Sequence, residues 1–337
     1  MNIYDISKKA GVSIATVSRV MNGNARVSEK TRQKILAIMA ENDYTPNAFA
    51  RGLGLNTMKT IGLLCADSSD QFFSRAVYYL ERALRSNHYD AILSCTGADY
   101  DTRTEYLKRL LAKKVDAVIL VGSSFIEAVP ERNRYIIDAA EEVPVIILNG
   151  YLRAPNVYCS LCDDQEIVQQ AASVCLEHGR RDLLFLYRAD SYSGRRKLKG
   201  FKEAFAAAEL TLDPKRIVLF NGSIPETKEK LLSLASEGLT FDTVIAGDDE
   251  LAICALKYAK AMNFDIPSQF AIIGYNNSQL GICCEPELTS IDNQLEFCCN
   301  NAVAALMSVL DGKPAPGKTM LSANILQRGT TDFFEIS

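Results

Sequence analysis

Residues 10–28 read "AGVSIATVSRVMNGNARVS". The stretch is dense in small and hydroxylated residues and carries Arg19 near its middle. Asn2 can cap a helix before it, with Ile3, Ile6 and Ala10 on one face. Gly11 ends that helix, because glycine takes the left-handed turn most easily. Ser13 then caps a second helix, in which Val17 and Val20 lie three apart and face inward. Asn22-Gly23 ends it. Ser28 caps a third, with Ile35, Ile38 and Met39 as its buried stripe. If Val17 and Val20 are internal, Ile14, Ala15, Thr16, Ser18 and Arg19 face outward or flank that face. Small residues let a helix backbone approach a surface closely. Hydroxyls at a helix N-terminus can bond phosphate oxygens. An arginine can fork onto a guanine edge, and Ile14 and Ala15 can meet a thymine methyl. The pattern fits a recognition helix for the major groove. Amphipathicity alone is equally satisfied by a three-helix bundle with no ligand.

Charge points the same way. Residues 1–58 hold eight Lys/Arg against four Asp/Glu, a balance of +4, which leaves −8 for the rest of a chain whose net charge is −4. A basic head on an acidic body implies a polyanionic partner for the head; a solvated charged face is the plain alternative.

"DYTPNAFARGLGLNTMKT" follows, from Asp43 to Thr60. Pro46 breaks the third helix and Asn47 can cap a short new one, Ala48 to Leu55. Gly52 and Gly54 weaken it by about 1 kcal/mol each relative to alanine, and eight residues are too few for a stable isolated helix. The segment is expected to be frayed in the free protein and to order on DNA.

From Thr60 onward apolar runs alternate with helical patterns. The runs are "TIGLLCA", "YDAILSC", "DAVILVG", "PVIILN", "DLLFLY", "RIVLF", "DTVIAG" and "FAIIGY". Continuous apolar runs fit parallel strands buried on both faces. Helical patterns fall at Gln71–Asn87, Thr102–Lys113, Gln165–His178, Ser193–Ala208, Pro225–Glu237 and Asp249–Met262. Repeated strand–helix units imply doubly wound α/β sheets, and the length calls for two subdomains. Each half opens alike, with "TIGLLCADSSDQFFSRAVYYLERAL" and "DLLFLYRADSYSGRRKLKGFKEAF". Ligands in such sheets bind at the C-terminal strand ends, so a cleft between facing halves is the expected pocket.

The string "IYDISKKAGVSIATVSRVMNG", continued by "VSEKTRQKILAIMAENDYTPNAFARGL", closely resembles the headpiece of the LacI/GalR family of bacterial transcription regulators, with Ser7 in place of the usual alanine. The body resembles the family's periplasmic-binding-protein-like core, with "KLKGF", "GYNN", "LTSI" and "ILQRGTT" as landmarks. The resemblance implies a homodimer on a pseudo-palindromic double-stranded operator. It also implies a hinge helix at 47–58 that pairs with its partner in the minor groove, with Leu53 as the wedge between base steps. The expected DNA contacts are Ser13, Ile14, Ala15, Thr16, Ser18, Arg19, Asn22, Asn47, Ala48, Arg51 and Leu53.

The expected effector-binding residues follow the strand ends: Ser69, Asp70, Phe72 and Phe73, then Ser123 and Ser124, Asn149, Lys197, Asp248 and Asn276. Phe72 and Phe73 match family positions that line the pocket. Lys197 and Asn276 stand where many members have Arg and Asp, replacing a bidentate fork by a point charge and a strong acceptor by an amide. Catabolite-control members carry the same lysine and answer chiefly to a phosphorylated protein, so a protein co-regulator is the alternative to a sugar or related metabolite. Loop capping competes with ligand contact for each polar residue of this set.

The expected domain plan is a helix-turn-helix headpiece at 1–46, a hinge and linker at 47–58, and a core at 59–337. The core divides into one subdomain at about 59–160 and 292–322 and a second at about 161–291 and 323–337. No apolar stretch reaches 18 residues and the N-terminus lacks an apolar signal core, so no membrane partner is expected and the cytoplasm is the expected location. Ten cysteines there are expected as reduced thiols. Cys159-x-x-Cys162 lacks a second pair or a nearby histidine to complete a metal quartet; Cys283–Cys284 and Cys298–Cys299 are adjacent pairs. No metal or cofactor is expected. His88 and His178 sit in no nucleophile–base pattern, and neither a G-x-S-x-G elbow nor a Walker loop occurs, so an enzyme has no constellation behind it. A carrier that only binds solute is the remaining alternative from another class. Loss of operator binding on deletion of 1–58 would exclude it.

Overall fold

The computed structural model describes residues 2–21, 26–44 and 57–334. Asn22 and the expected hinge helix, with Asn47, Ala48, Arg51 and Leu53, lie outside the described residues.

The first three helices are α1 (Ile3–Ala10), α2 (Ile14–Met21) and α3 (Glu29–Glu41). Asn2 caps α1 through a reciprocal pair with Asp5, and Gly11 ends it at φ 66°. The three pack on one another around Ile6, Ala10, Val17, Val20, Ile35 and Met39. Ser7, the departure from the usual alanine, has a structural use: its hydroxyl donates to the Val12 carbonyl at 2.6 Å and ties down the turn between α1 and α2.

The body contains two six-stranded sheets. The first runs β11-β5-β4-β3-β1-β2, built from β1 (Thr60–Cys65), β2 (Asp90–Cys95), β3 (Ala117–Val121), β4 (Val145–Leu148), β5 (Val157–Cys162) and β11 (Lys318–Leu321). Every pairing in it is parallel. The second runs β12-β10-β9-β8-β6-β7, from β6 (Leu183–Tyr187), β7 (Ile217–Leu219), β8 (Thr243–Ala246), β9 (Ala271–Tyr275), β10 (Thr289–Asp292) and β12 (Asn324–Leu326). Only β10 and β12 pair antiparallel. Five strands of each half therefore follow one winding order, and the chain crosses between halves after β5, after β10 and between β11 and β12.

Side chains alternate across each sheet, so each has two apolar faces. On one face of the first sheet Ile61, Leu63, Ile119 and Val121 pack under α4 (Gln71–Ser86) and α12 (Leu295–Leu310). On the other, Leu64, Val118 and Leu120 pack under α5 (Tyr100–Ala112) and α6 (Arg134–Glu142). The second sheet is covered by α7 (Asp164–Glu177) and α8 (Tyr192–Ala207) on one side. Its other side lies under α9 (Ile224–Ser236) and α10 (Asp249–Ala261). A short helix, α11 (Gln279–Cys283), follows β9. Gly200 lets α8 lie against α7: a Cβ there would stand 2.1 Å from the Gln165 carbonyl oxygen.

The expectation of strands buried on both faces fails at the sheet edges. β2 is mostly half-buried or exposed, and Leu219 of β7 is 51% exposed, because an edge strand has no neighbour to cover it. Segment 157–162, read from its cysteines, is strand β5. The two-residue period puts Cys159 and Cys162 on opposite faces, so they cannot join one site. All ten cysteines are free thiols.

Candidate nucleic-acid interface and effector cleft

Helix α2 presents the face that its sequence requires. Val17 and Val20 are buried, Ser13, Ile14, Ala15 and Arg19 are exposed, and Thr16 and Ser18 lie at the margin. The Ser13 hydroxyl accepts from the Thr16 amide at 3.2 Å and sits 2.9 Å from the Thr16 hydroxyl. No acidic residue occupies the first turn, so the positive end of the helix is unopposed from within it. Tyr4, 66% exposed, is a large aromatic left open to solvent at the start of α1. Its signal in the sequence is an aromatic off the Ile3–Ile6–Ala10 stripe.

Between the two halves lies a cleft of about 340 Å³ at the C-terminal ends of both sheets. Of the expected effector residues, Asp70, Phe72, Phe73, Ser123, Ser124, Asn149, Lys197, Asp248 and Asn276 line it. Ser69 does not; its amide and hydroxyl both donate to Asp67, closing the loop after β1. Phe72 and Phe73 meet edge to face with centroids 5.4 Å apart. Phe73 packs against Gly122, where φ is 111° and a Cβ would stand 2.4 Å from its ring. The Ser124 hydroxyl is buried without a hydrogen-bond partner among the described residues.

Several lining residues also hold the walls. Asp70 accepts from the amides of Phe72 and Phe73 at 2.8 and 3.2 Å, capping α4. Burial pushes its carboxyl above the ordinary aspartate value. Asp248 caps α10 through the Leu251 amide and accepts from Arg188 Nε at 2.8 Å. Lys197 is almost wholly buried: Nζ donates to the Gly247 carbonyl at 2.9 Å and stands 3.3 Å from the Tyr275 ring centroid. Burial lowers its ammonium below the ordinary lysine value, against the pull of Asp164 and Asp248. The Tyr275 hydroxyl in turn donates to Asp164. The Asn276 side-chain oxygen accepts from Asn293 at 2.9 Å.

Arg188 lines the cleft and was not among the expected residues. It is held by Asp248, by Glu250 at 2.9 Å and by the Gly222 carbonyl. Burial works against its charge, but Asp248 and Glu250 outweigh that and raise its value. The sequence signal is a lone arginine directly after the apolar run "DLLFLY". Among the described residues, Ser123 bonds to Ser191 at 3.0 Å across the cleft, and Arg75 reaches the Asn277 carbonyl of the other half at 3.1 Å.

A helix-turn-helix unit ahead of two α/β halves with a polar, aromatic-lined cleft defines a DNA-binding regulator. Comparison with known proteins gives the family. Residues 2–47 match the model for bacterial regulatory proteins of the lacI family, and residues 172–331 match a periplasmic binding protein-like domain. An HTH-type transcriptional regulator of Lachnoclostridium phytofermentans is 54% identical over 99% of this chain and 100% of its own length. Catabolite control protein A of Priestia megaterium is 27% identical over 86% of this chain and 87% of its own. A crystal structure of the Lac repressor bound to ONPG in the repressed state shares the fold, with a TM-score of 0.85, 21% identity, and coverage of 98% of this chain and 99% of that one. The chain belongs to the LacI family of bacterial regulatory proteins and is a DNA-binding transcriptional regulator. No helix among the described residues is long and apolar enough to cross a membrane.

Proposed function

We propose that this regulator acts as a homodimeric repressor whose α2 helices enter successive major grooves of a pseudo-palindromic operator. The observation that carries this reading is the division of α2: valines into the headpiece core, hydroxyls and Arg19 outward. Ser13, Thr16 and Ser18 take phosphate contacts; Arg19, Ile14 and Ala15 read base edges. Asn22, Asn47, Ala48 and Arg51 add backbone contacts, and Leu53 acts as the minor-groove wedge. In this plan residues 1–46 are the headpiece, 47–58 the hinge, and 59–337 the core, with subdomains at about 59–160 and 292–322 and at about 161–291 and 323–337. The protein works as a binder, not an enzyme.

The effector is a neutral, polyhydroxylated small molecule, a sugar or close relative, held between the halves. Asp70 and Asp248 offer acceptors, Asn149, Asn276, Ser123 and Ser124 offer paired donors and acceptors, and Phe72 and Phe73 offer ring faces. Arg188 is already matched by two carboxylates and Lys197 is turned to Gly247, so neither stands free for a phosphate. Ligand would shift the closure of the halves and thereby the operator affinity.

The test is selection of operator sequences from a random duplex pool by the full chain, with inverted repeats expected. Recovery of unselected DNA would overturn the operator reading. A melting-point screen against neutral sugars and phosphosugars tests the cleft, and neutral sugars are expected to raise the melting point more. Control by a protein co-regulator alone predicts that no metabolite moves it.

A further inference from the structure

Cys65 and Cys95 are the last residues of β1 and β2, and they sit opposite each other in the parallel register. Their Sγ atoms are 3.6 Å apart. Cys95 is exposed, whereas Cys65 is buried in the apolar face beneath α4. Partners across a sheet lie about 4.7–4.9 Å apart, which falls inside the Cα separation of about 4.4–6.8 Å that a disulfide accepts. The register and the sulfur contact together bring the two thiols within reach of a bond. The pairs that stand out in the sequence are engaged otherwise: Cys159 and Cys162 face opposite ways, Cys284 bonds to the Gly281 and Pro286 carbonyls, and Cys298 and Cys299 bond to separate backbone carbonyls.

We propose that Cys65 and Cys95 form an oxidative modification site, a dithiol that low-molecular-weight disulfides convert to an intrachain disulfide. The exposed Cys95 gives up its proton and attacks one sulfur of the reagent. The reagent's S–S bond breaks, one thiolate leaves and takes that proton, and Cys95 carries a mixed disulfide. Cys65 Sγ then attacks Cys95 Sγ and expels the second thiolate, which takes the Cys65 proton. The protein dithiol loses two electrons and the reagent becomes two thiols. Burial, with Cys95 beside it, pushes the Cys65 thiol up to about 12, so the second displacement is the slower. The exposure of Cys95 lets an external thiol reverse the reaction. The new bond would fasten edge strand β2 to β1 where Ala66, Asp67 and Ala98 enter the cleft wall.

The test uses the full chain with Cys283→Ser, which removes the other exposed thiol, and oxidised glutathione as reagent. The expected product has lost the mass of two hydrogens. On digestion it yields the Cys65 and Cys95 peptides joined, and it reverts with dithiothreitol. Adding Cys95→Ser abolishes the reaction; adding Cys65→Ser stops it at a glutathione adduct on Cys95. Since Cys65 lies in the core, the joined peptide from the unsubstituted pair is the readout that does not depend on that variant folding. A stable adduct on Cys95 with Cys65 present, an unreactive Cys95, or a Cys95–Cys95 link between two chains would each overturn the proposal.

Discussion

The hydroxyl of Ser123 donates to that of Ser191 across 3.0 Å, and this bond joins the loop after β3 to the cap of α8 in the opposite half. Both serines lie on the cleft wall, so the bond spans the gap between the halves. Both partners are short side chains, so the distance leaves little slack between the halves.

Ser123→Ala removes that tie and leaves Arg75 to Asn277 as the other bridge described. A hydrogen bond of this kind contributes about 0.5–1.5 kcal/mol net. The variant is expected to open more readily, with a larger radius of gyration in X-ray scattering of the ligand-free protein. An unchanged radius would show that the bond does not restrain the halves.

Arg19→Ala is expected to cost about 1–3 kcal/mol on the selected operator and to relax preference at one base pair per half-site. Titrations against single-base operator variants check this. An equal loss on every sequence would make Arg19 a phosphate contact only. For the unsubstituted protein, log affinity should fall linearly with log salt as counterions are released.

Lys197→Met tests the cost of burying an ammonium. The folded-state value of Lys197 is lowered from 10.5, so below both values the folded protein carries the full burden of the charge. As pH rises through the folded value the lysine sheds its proton in the native state first, and its contribution to stability rises until the unfolded chain also deprotonates near 10.5. Buried thiols and phenols such as Cys175 and Tyr275, whose values are raised, make both proteins lose stability as the unfolded chain sheds those protons first. Against that shared loss, the wild type should gain relative to the methionine variant as pH rises. Denaturant titrations from pH 7 upward decide it, and parallel curves would assign the depression elsewhere.

Gly200→Ala places a methyl 2.1 Å from the Gln165 carbonyl oxygen, where backbone must move. The loss is expected to reach about 3 kcal/mol, the upper end of overpacking costs. A lowered melting point of the core checks it. An unchanged one would show that α7 and α8 can separate freely.

Most of the fold was legible because parallel strands buried on both faces write continuous apolar runs, as "AVILV" does for β3. β5, "VYCSLC", mixes Tyr, Ser and Cys and was read for its thiols instead of its extended backbone. β11 and β12 span only four and three residues and are at most half-buried, so neither writes a continuous apolar run. In α12, two asparagines and two cysteines interrupt an apolar pattern that becomes plain only against α4. The recognition helix was legible because its period separates Val17 and Val20 from the hydroxyls. At the cleft, residue types were readable but their engagements were not. Lys197 turns to Gly247 and Tyr275, and Arg188 pairs with two acids, through contacts that only the folded chain brings together.

The three crossings between the halves have a mechanical consequence. Three passages of chain fix where the halves meet, so the natural motion between them is a hinge bend at those crossings. In chain order the headpiece helices precede β1, so the headpiece joins the body at the first half. The first half is then the fixed jaw and the second the moving one. A ligand seated between the jaws is thus placed to act on the headpiece through the angle between them.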